Sequence, residues 1–178
     1  MPTATDVGFI EMRIAKVVSF GPPLAGESFG CVVLDQVSGD RNLVISIGET
    51  EAFWLGATLQ DMRFGRPMTY QFAAALVRGL GGQVRQVRID RLIEGAYGAT
   101  VEVEGPLGVQ LVDARPSDAL NLAAIAAAPV LVSLQVIEDG ERRREDDSAQ
   151  AGLLRHALTA PAMRIMKASP TSPPPGSI

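Results

Sequence analysis

Two stretches of this chain can be laid over one another residue by residue, and that correspondence limits the folds open to it. Thr50-Glu51-Ala52-Phe53-Trp54-Leu55-Gly56-Ala57 matches Ser117-Asp118-Ala119-Leu120-Asn121-Leu122-Ala123-Ala124 in class at almost every position. Each stretch follows an apolar strand-like run, residues 43–47 and 109–112, and further upstream Phe29-Gly30 parallels Tyr97-Gly98. Any two strand–turn–helix segments can look alike by chance, but the shared order of elements favours duplication. The predicted fold is α+β: a single domain with an internal duplication of a β–β–α unit plus a connecting helix. Both copies place an acid, Glu51 and Asp118, in the first turn of a helix. Packing about a pseudo-two-fold would bring these acids into comparable surroundings.

The remaining elements follow from periodicity. Residues 9–20 alternate as a strand does, ending at Gly21-Pro22-Pro23. Residues 29–36 and 43–47 read as a hairpin around Ser38-Gly39-Asp40. Residues 49–62 have helical spacing. Thr69 reads as an N-cap, followed by a stripe of Phe72, Ala73, Leu76, Val77 and Leu80 that Gly81-Gly82 stops. Strands are expected over 84–93, 97–104, 109–113 and 130–133, and Pro116 opens a helix reaching about Ala127. The domain is set at residues 7–137. Residues 138–178 read as a charged linker, a weak helix near 149–158, and a mostly disordered Pro-rich tail.

Composition excludes several classes. The chain has 178 residues, a net charge of −4 and one cysteine, Cys31. No disulfide framework is possible within the chain, and the start has neither a basic nor an apolar leader, so the expected location is cytoplasmic. Residues 120–137 are apolar, but Asn121, Pro129, Ser133 and Gln135 interrupt them, which argues against a membrane span. The acidity lies in the domain: residues 1–137 hold ten Lys/Arg against fourteen Asp/Glu, and the rest holds six of each. Arg78, Arg85, Arg88 and Arg91 are the local exception. They read either as contacts to a nucleic-acid backbone or, more usually, as a solvated helix end and strand.

The most distinctive string is Asp113-Ala114-Arg115-Pro116-Ser117-Asp118-Ala119. With Ile47-Gly48-Glu49-Thr50-Glu51-Ala52 and Arg66-Pro67-Met68-Thr69 it resembles the bifunctional nuclease family, small domains credited with DNase and RNase activity. The likeness runs over residues 29–137. It implies an α+β fold, a homodimer, nucleic acid as partner, and hydrolysis of phosphodiesters. One departure stands out. Tyr70-Gln71 occupies the place where the family usually has His-Asp, so any metal binding or proton transfer by that pair is lost.

Metal-assisted phosphodiester hydrolysis needs hard oxygen ligands that leave positions open for phosphate and water. Glu49, Glu51, Asp113 and Asp118 are the candidate metal ligands, with Mg²⁺ or Mn²⁺ the ions such a site takes. Asp118, Asp113 and Arg115 are the catalytic candidates, the guanidinium clamping phosphate or neutralising transition-state charge. The structural alternative is that first-turn acids serve the helix dipole while Arg115 pairs with Asp113 or Asp118 to lock the turn. The matching functional alternative is a non-catalytic homodimeric module for ligand binding or protein interaction on the same fold. His156, the only histidine, lies outside the domain, so no serine or cysteine triad can be assembled within it. Phe53 and Trp54, adjacent on a helix, face different ways. Trp54 reads as second-layer core or a subunit contact.

Overall fold

A computed structural model describes residues 8–20, 29–146, 152 and 159. Within these residues seven strands and four helices run in the order β1 (Phe9–Phe20), β2 (Phe29–Gln36), β3 (Asn42–Gly48), α1 (Glu49–Leu59), α2 (Thr69–Gly79), β4 (Gln83–Ile93), β5 (Ala96–Gly105), β6 (Gly108–Ala114), α3 (Pro116–Ala126), β7 (Val130–Ser133) and α4 (Leu134–Asp146). The strands form one mixed sheet ordered β3-β2-β1-β7-β4-β5-β6, in which only the β4–β7 pairing is parallel. Each half of the sheet is therefore an antiparallel meander followed by a helix, with β7 between them.

The α+β class and all eleven element positions but one agree with the periodicity. The charged run after Ile137, which reads as solvated linker, is helix α4 as far as Asp146. Val136 and Ile137 anchor it in the core, and the remainder is polar because one side alone is covered. Gly140 on α4 approaches strands from both halves of the sheet: a β-carbon there would sit 3.0 Å from Leu43 of β3 and 3.2 Å from the Tyr97 hydroxyl of β5. The sheet is curled, since those strands lie far apart in the strand order. The tail beyond it, including His156 and the expected helix near 149–158, falls outside the described residues except for 152 and 159.

Alternation sets the two faces of the sheet. On β3, Leu43, Ile45 and Ile47 are buried, and between them lie Val44 and the exposed Ser46. These join Val32, Leu34, Leu55, Val87, Ile89, Val101, Leu120 and Val132 in one core. Helix α1 comes so close to β2 that a β-carbon on Gly30 would collide with that of Ala52, which explains why residue 30 has no side chain. The apolar stripe of α2 is different. Ala74 is its one buried residue, whereas Phe72, Leu76 and Leu80 are exposed.

Among the described residues no helix is long and apolar enough to cross a membrane, and Pro129 separates α3 from β7. Helices α1, α2 and α3 end alike. Asp61, Gly81 and Ala127 stand at positive φ, and the amide of the residue after each reaches back five positions (Met62 to Ala57, Gly82 to Val77, Ala128 to Ala123). Glycine fits such a position, and an alanine does not.

Ala127, at φ 51° and exposed, is the strained member of the three. Ala127→Gly should stabilise the domain by about 1 kcal/mol, raising Tm by roughly 3 °C. Thermal unfolding followed by circular dichroism reads this; an unchanged or lower Tm would mean that the left-handed cap does not strain the native chain.

Candidate functional site

The geometry of the site begins with three helix N-termini. Gly48 is the N-cap of α1, which makes Glu51 its third residue; Arg115 is the N-cap of α3, which makes Asp118 its third. These are the two positions that the internal correspondence aligns. The acids point towards one another across the start of the two helices, and Arg115 sits between them. Its Nη2 donates to Glu51 Oε1 at 2.9 Å and to Asp118 Oδ1 at 3.0 Å, and its Nε donates to Asp118 Oδ2 at 2.8 Å. The grip on Asp118 is thus two-pronged.

Helix α2 supplies the third N-terminus. Tyr70, in its first turn, donates its hydroxyl to Asp118 Oδ1 at 2.8 Å. Gln71 beside it closes the helix start by accepting the Met68 amide at 2.9 Å, so the expected cap at Thr69 is displaced to Met68. The two residues at the family's usual His-Asp position are therefore both engaged. One binds the candidate site, and the other caps its own helix. Asn121, fully buried, donates to the carbonyls of Glu51 (3.2 Å) and Ser117 (2.9 Å), pinning α1 against α3. At Gly48 a β-carbon would collide with the Glu51 carboxylate, so the bare N-cap makes room for the acid.

Electrostatics follow from these contacts. Burial raises the Asp118 pKa, but the bonds from Arg115 and Tyr70 outweigh it and hold the carboxyl below its ordinary value. Burial and the bond to Asp118 push the Tyr70 phenol well above its ordinary value, so it stays a proton donor. Its bond to Asp118 pushes the Arg115 guanidinium up as well. Glu51 and Asp118 are mostly covered, at 18% and 31% side-chain exposure, whereas Arg115 remains 67% exposed. The second terminal nitrogen, Nη1, has no partner among the described residues. The arrangement is a guanidinium held rigidly from behind, with one donor edge turned outward.

The other sequence candidates lie elsewhere. Asp113 is on the outer face of β6 and accepts from Arg91 at 2.5 Å; it does not pair with Arg115. Glu49 is exposed in the first turn of α1. Among the described residues no three histidine, cysteine or acidic groups gather as a metal would need. The fit to Mg²⁺ or Mn²⁺ is poor for a positive reason: Arg115 fills the space between Glu51 and Asp118, taking the oxygens that a cation would share. Cys31 is buried against Ser46, and burial raises its thiol pKa.

Three of the four candidate nucleic-acid arginines share one face of the sheet. On a regular strand, residues 85, 88 and 91 would alternate sides, but register shifts after Val84 and after Ile89 bring them together. There each meets an acid: Arg85 with Glu104 at 2.8 Å, Arg88 with Glu102 at 3.2 Å, Arg91 with Asp113. Arg78, on α2, is apart from them and exposed. Trp54 is half-buried, and its ring meets Phe53 and Phe64 edge-on at 4.9 and 5.3 Å. The neighbours on the helix thus touch, although their side chains start in different directions. Sequence reasoning missed Tyr70 and Asn121. A buried-type helix position carrying asparagine, in register with Trp54, was the available signal for the second.

Comparison with known proteins gives the same region a relationship. Residues 32–145 match the bifunctional nuclease domain, a span that takes in the three helix starts. An uncharacterized protein of Mycobacterium tuberculosis (strain H37Rv) is 32% identical over 123 residues, covering 69% of this chain and 66% of that protein. Bifunctional nuclease 1 of Arabidopsis thaliana is 30% identical over 122 residues, covering 62% of this chain and 38% of its own length. Bifunctional nuclease 1 of Oryza sativa subsp. japonica is 29% identical over 109 residues, covering 59% and 33%. The chain spans about two thirds of the mycobacterial relative and little more than a third of the plant proteins. On the match over residues 32–145, this chain belongs to the bifunctional nuclease domain family.

Proposed function

We propose that the chain binds and hydrolyses phosphodiester bonds of RNA or DNA, with Arg115 as its phosphate ligand. The observation that carries this reading is the held guanidinium, fixed by two carboxylates and open on one edge. A phosphate arriving at that edge meets a cation that is already oriented, so little conformational freedom is lost on binding. Asp118, kept ionised, can accept a hydrogen bond from an attacking water, and Tyr70 holds the proton that keeps Asp118 in place. A divalent ion would have to displace Arg115 to reach Glu51 and Asp118 together, and no step is routed through one.

A second reading, a binding module without turnover, has its own support. Tyr70 satisfies the carboxylate where the family usually has a histidine, and a neutral phenol is a poor proton shuttle near neutral pH. Cleavage of single-stranded RNA and DNA, with Mg²⁺, with Mn²⁺ and with chelator, separates the two. The first reading expects cleavage that survives chelation and falls by orders of magnitude in both Arg115→Ala and Asp118→Asn. Absence of cleavage in every condition, with oligonucleotide still bound, would establish the module. Cleavage that needs the metal would overturn the role given to Arg115.

We further propose that the partner of this chain is a second copy of itself. Strand β6 ends the sheet, its outer edge unpaired among the described residues, and Leu111 on it is 64% exposed. Val109, Val112 and Leu107 nearby, with Phe72 and Leu76 on α2 and Leu80 just past its end, add to the exposed apolar area. An unguarded, almost uncharged edge strand is self-complementary about a two-fold axis, and a stable interface needs about 800 Å² per partner. The two meanders flanking β7 also fit descent from one duplicated unit, which requires residues 29–60 and 97–127 to superpose in the same order and hand. Sedimentation at micromolar concentration should find a dimer that Leu111→Lys converts to monomer. A wild-type monomer at that concentration would contradict the proposal.

A further inference from the structure

Beside the start of α2, the loop before that helix and the helix itself bring together cations that the described residues leave largely uncancelled. The loop between α1 and α2 folds against Gln71, Ala75 and Arg78 of that helix and encloses a concavity of about 420 Å³. Arg63, Arg66 and Arg78 line it, opposed by one acid, Asp61. The Arg63–Asp61 contact is long, 3.9 Å, with both side chains almost fully exposed, and such a pair binds weakly in water. Arg66 and Arg78 make no ion pair among the described residues, and both are exposed. This stands against the background of a chain with a net charge of −4, whose β4 arginines each meet an acid on the sheet.

The fold holds this loop in place. Asp61, in the left-handed conformation, ends α1 and turns the chain. Phe64, edge-on to Trp54, anchors the loop's centre to α1. Gln71 caps the start of α2 through the Met68 amide. The concavity and the Arg115 site then share one helix turn: Gln71 lines the first, and Tyr70 reaches into the second. Gln71 and Arg78, which both line the concavity, lie seven residues or roughly 11 Å apart along α2, long enough for more than one phosphate of an extended strand.

We propose that this concavity is the binding track for the phosphate backbone of a single-stranded nucleic acid, whose neighbouring phosphate lies at Arg115. The inference rests on the nucleic-acid reading of the Arg115 site. It replaces three of the four arginines that the sequence points to, keeping Arg78 and adding Arg63 and Arg66. A small concavity with three cations suits a flexible single strand, which can bend its phosphates into it. A duplex needs a longer and flatter basic surface than an acidic chain of this kind offers.

The test is binding, measured apart from cleavage. Fluorescence anisotropy of a labelled oligouridylate, and of an oligothymidylate, would be titrated with the full chain over a range of salt concentrations. The triple variant Arg63→Gln, Arg66→Gln, Arg78→Gln should bind both at least about tenfold more weakly. The slope of log K against log salt should become shallower by about 2, since each single-strand phosphate contact contributes about 0.7. Arg13→Gln, which removes a charge from β1, should change neither, and circular dichroism checks that all variants are folded. An unchanged affinity and slope in the triple variant, or no binding of either oligomer by the wild type at low salt, overturns the proposal. A wild type that binds through the three arginines but never cleaves would remove the hydrolase reading and leave this one standing.

Discussion

The guanidinium of Arg115 is the point on which the arrangement of the helices turns. It closes the start of α3, grips Asp118 with two nitrogens and reaches Glu51 on α1, while Tyr70 of α2 bonds the same Asp118 oxygen. Three helices that begin at distant points of the chain are thereby held at one end. A single exposed ion pair is worth little, but a network with two covered carboxylates and a bidentate guanidinium is a different case. Removing the arginine would leave two like charges facing one another near three helix starts, and the favourable field of those helices would offset only part of that repulsion. In the proposed reading the cation that stabilises the acids is also the group offered to a phosphate.

Charge is sorted over the rest of the surface. On the outer face of the sheet, Arg85, Arg88 and Arg91 lie across from Glu104, Glu102 and Asp113, and the face is close to neutral. Two bulges in β4 are required for this, because without them the three arginines would not share a side. Positive charge without a strong partner remains around the start and face of α2. An acidic protein can thus present a local cationic surface next to its site, and net charge alone is a poor guide to what it binds.

Much of this was legible in the sequence. Strand alternation in residues 9–20 and 29–47, proline at the start of α3, and the pair of glycines after α2 each report a local rule that tertiary structure did not override. The aligned acids Glu51 and Asp118 do meet, through Arg115, because matching two stretches of sequence equates positions without knowing the contacts. The misreadings have physical causes. Residues 138–146 look like linker because a helix covered on one side needs only Val136 and Ile137 to dock, and charges fill the rest. The stripe of α2 resembles a core face, yet that helix buries its small residue, Ala74, and leaves Phe72 and Leu76 outside. Asp113 was grouped with Arg115 by closeness in sequence, but the residues sit on either side of a strand end and face different partners. Tyr70 lies 48 positions from Asp118, and no local rule joins them.

The central claim is that Glu51, Arg115 and Asp118 act as one unit, and a double-mutant cycle measures it directly. Unfolding free energies of Glu51→Gln, Asp118→Asn and the double variant would be determined by denaturant titration. Through their shared guanidinium the two substitutions should be coupled by about 1 kcal/mol, well above the roughly 0.5 kcal/mol within which independent sites add. In an Arg115→Ala background that coupling should shrink or change sign. Additive effects in both backgrounds would contradict the account, because the acids would then be separate helix-start charges that happen to lie near the same arginine.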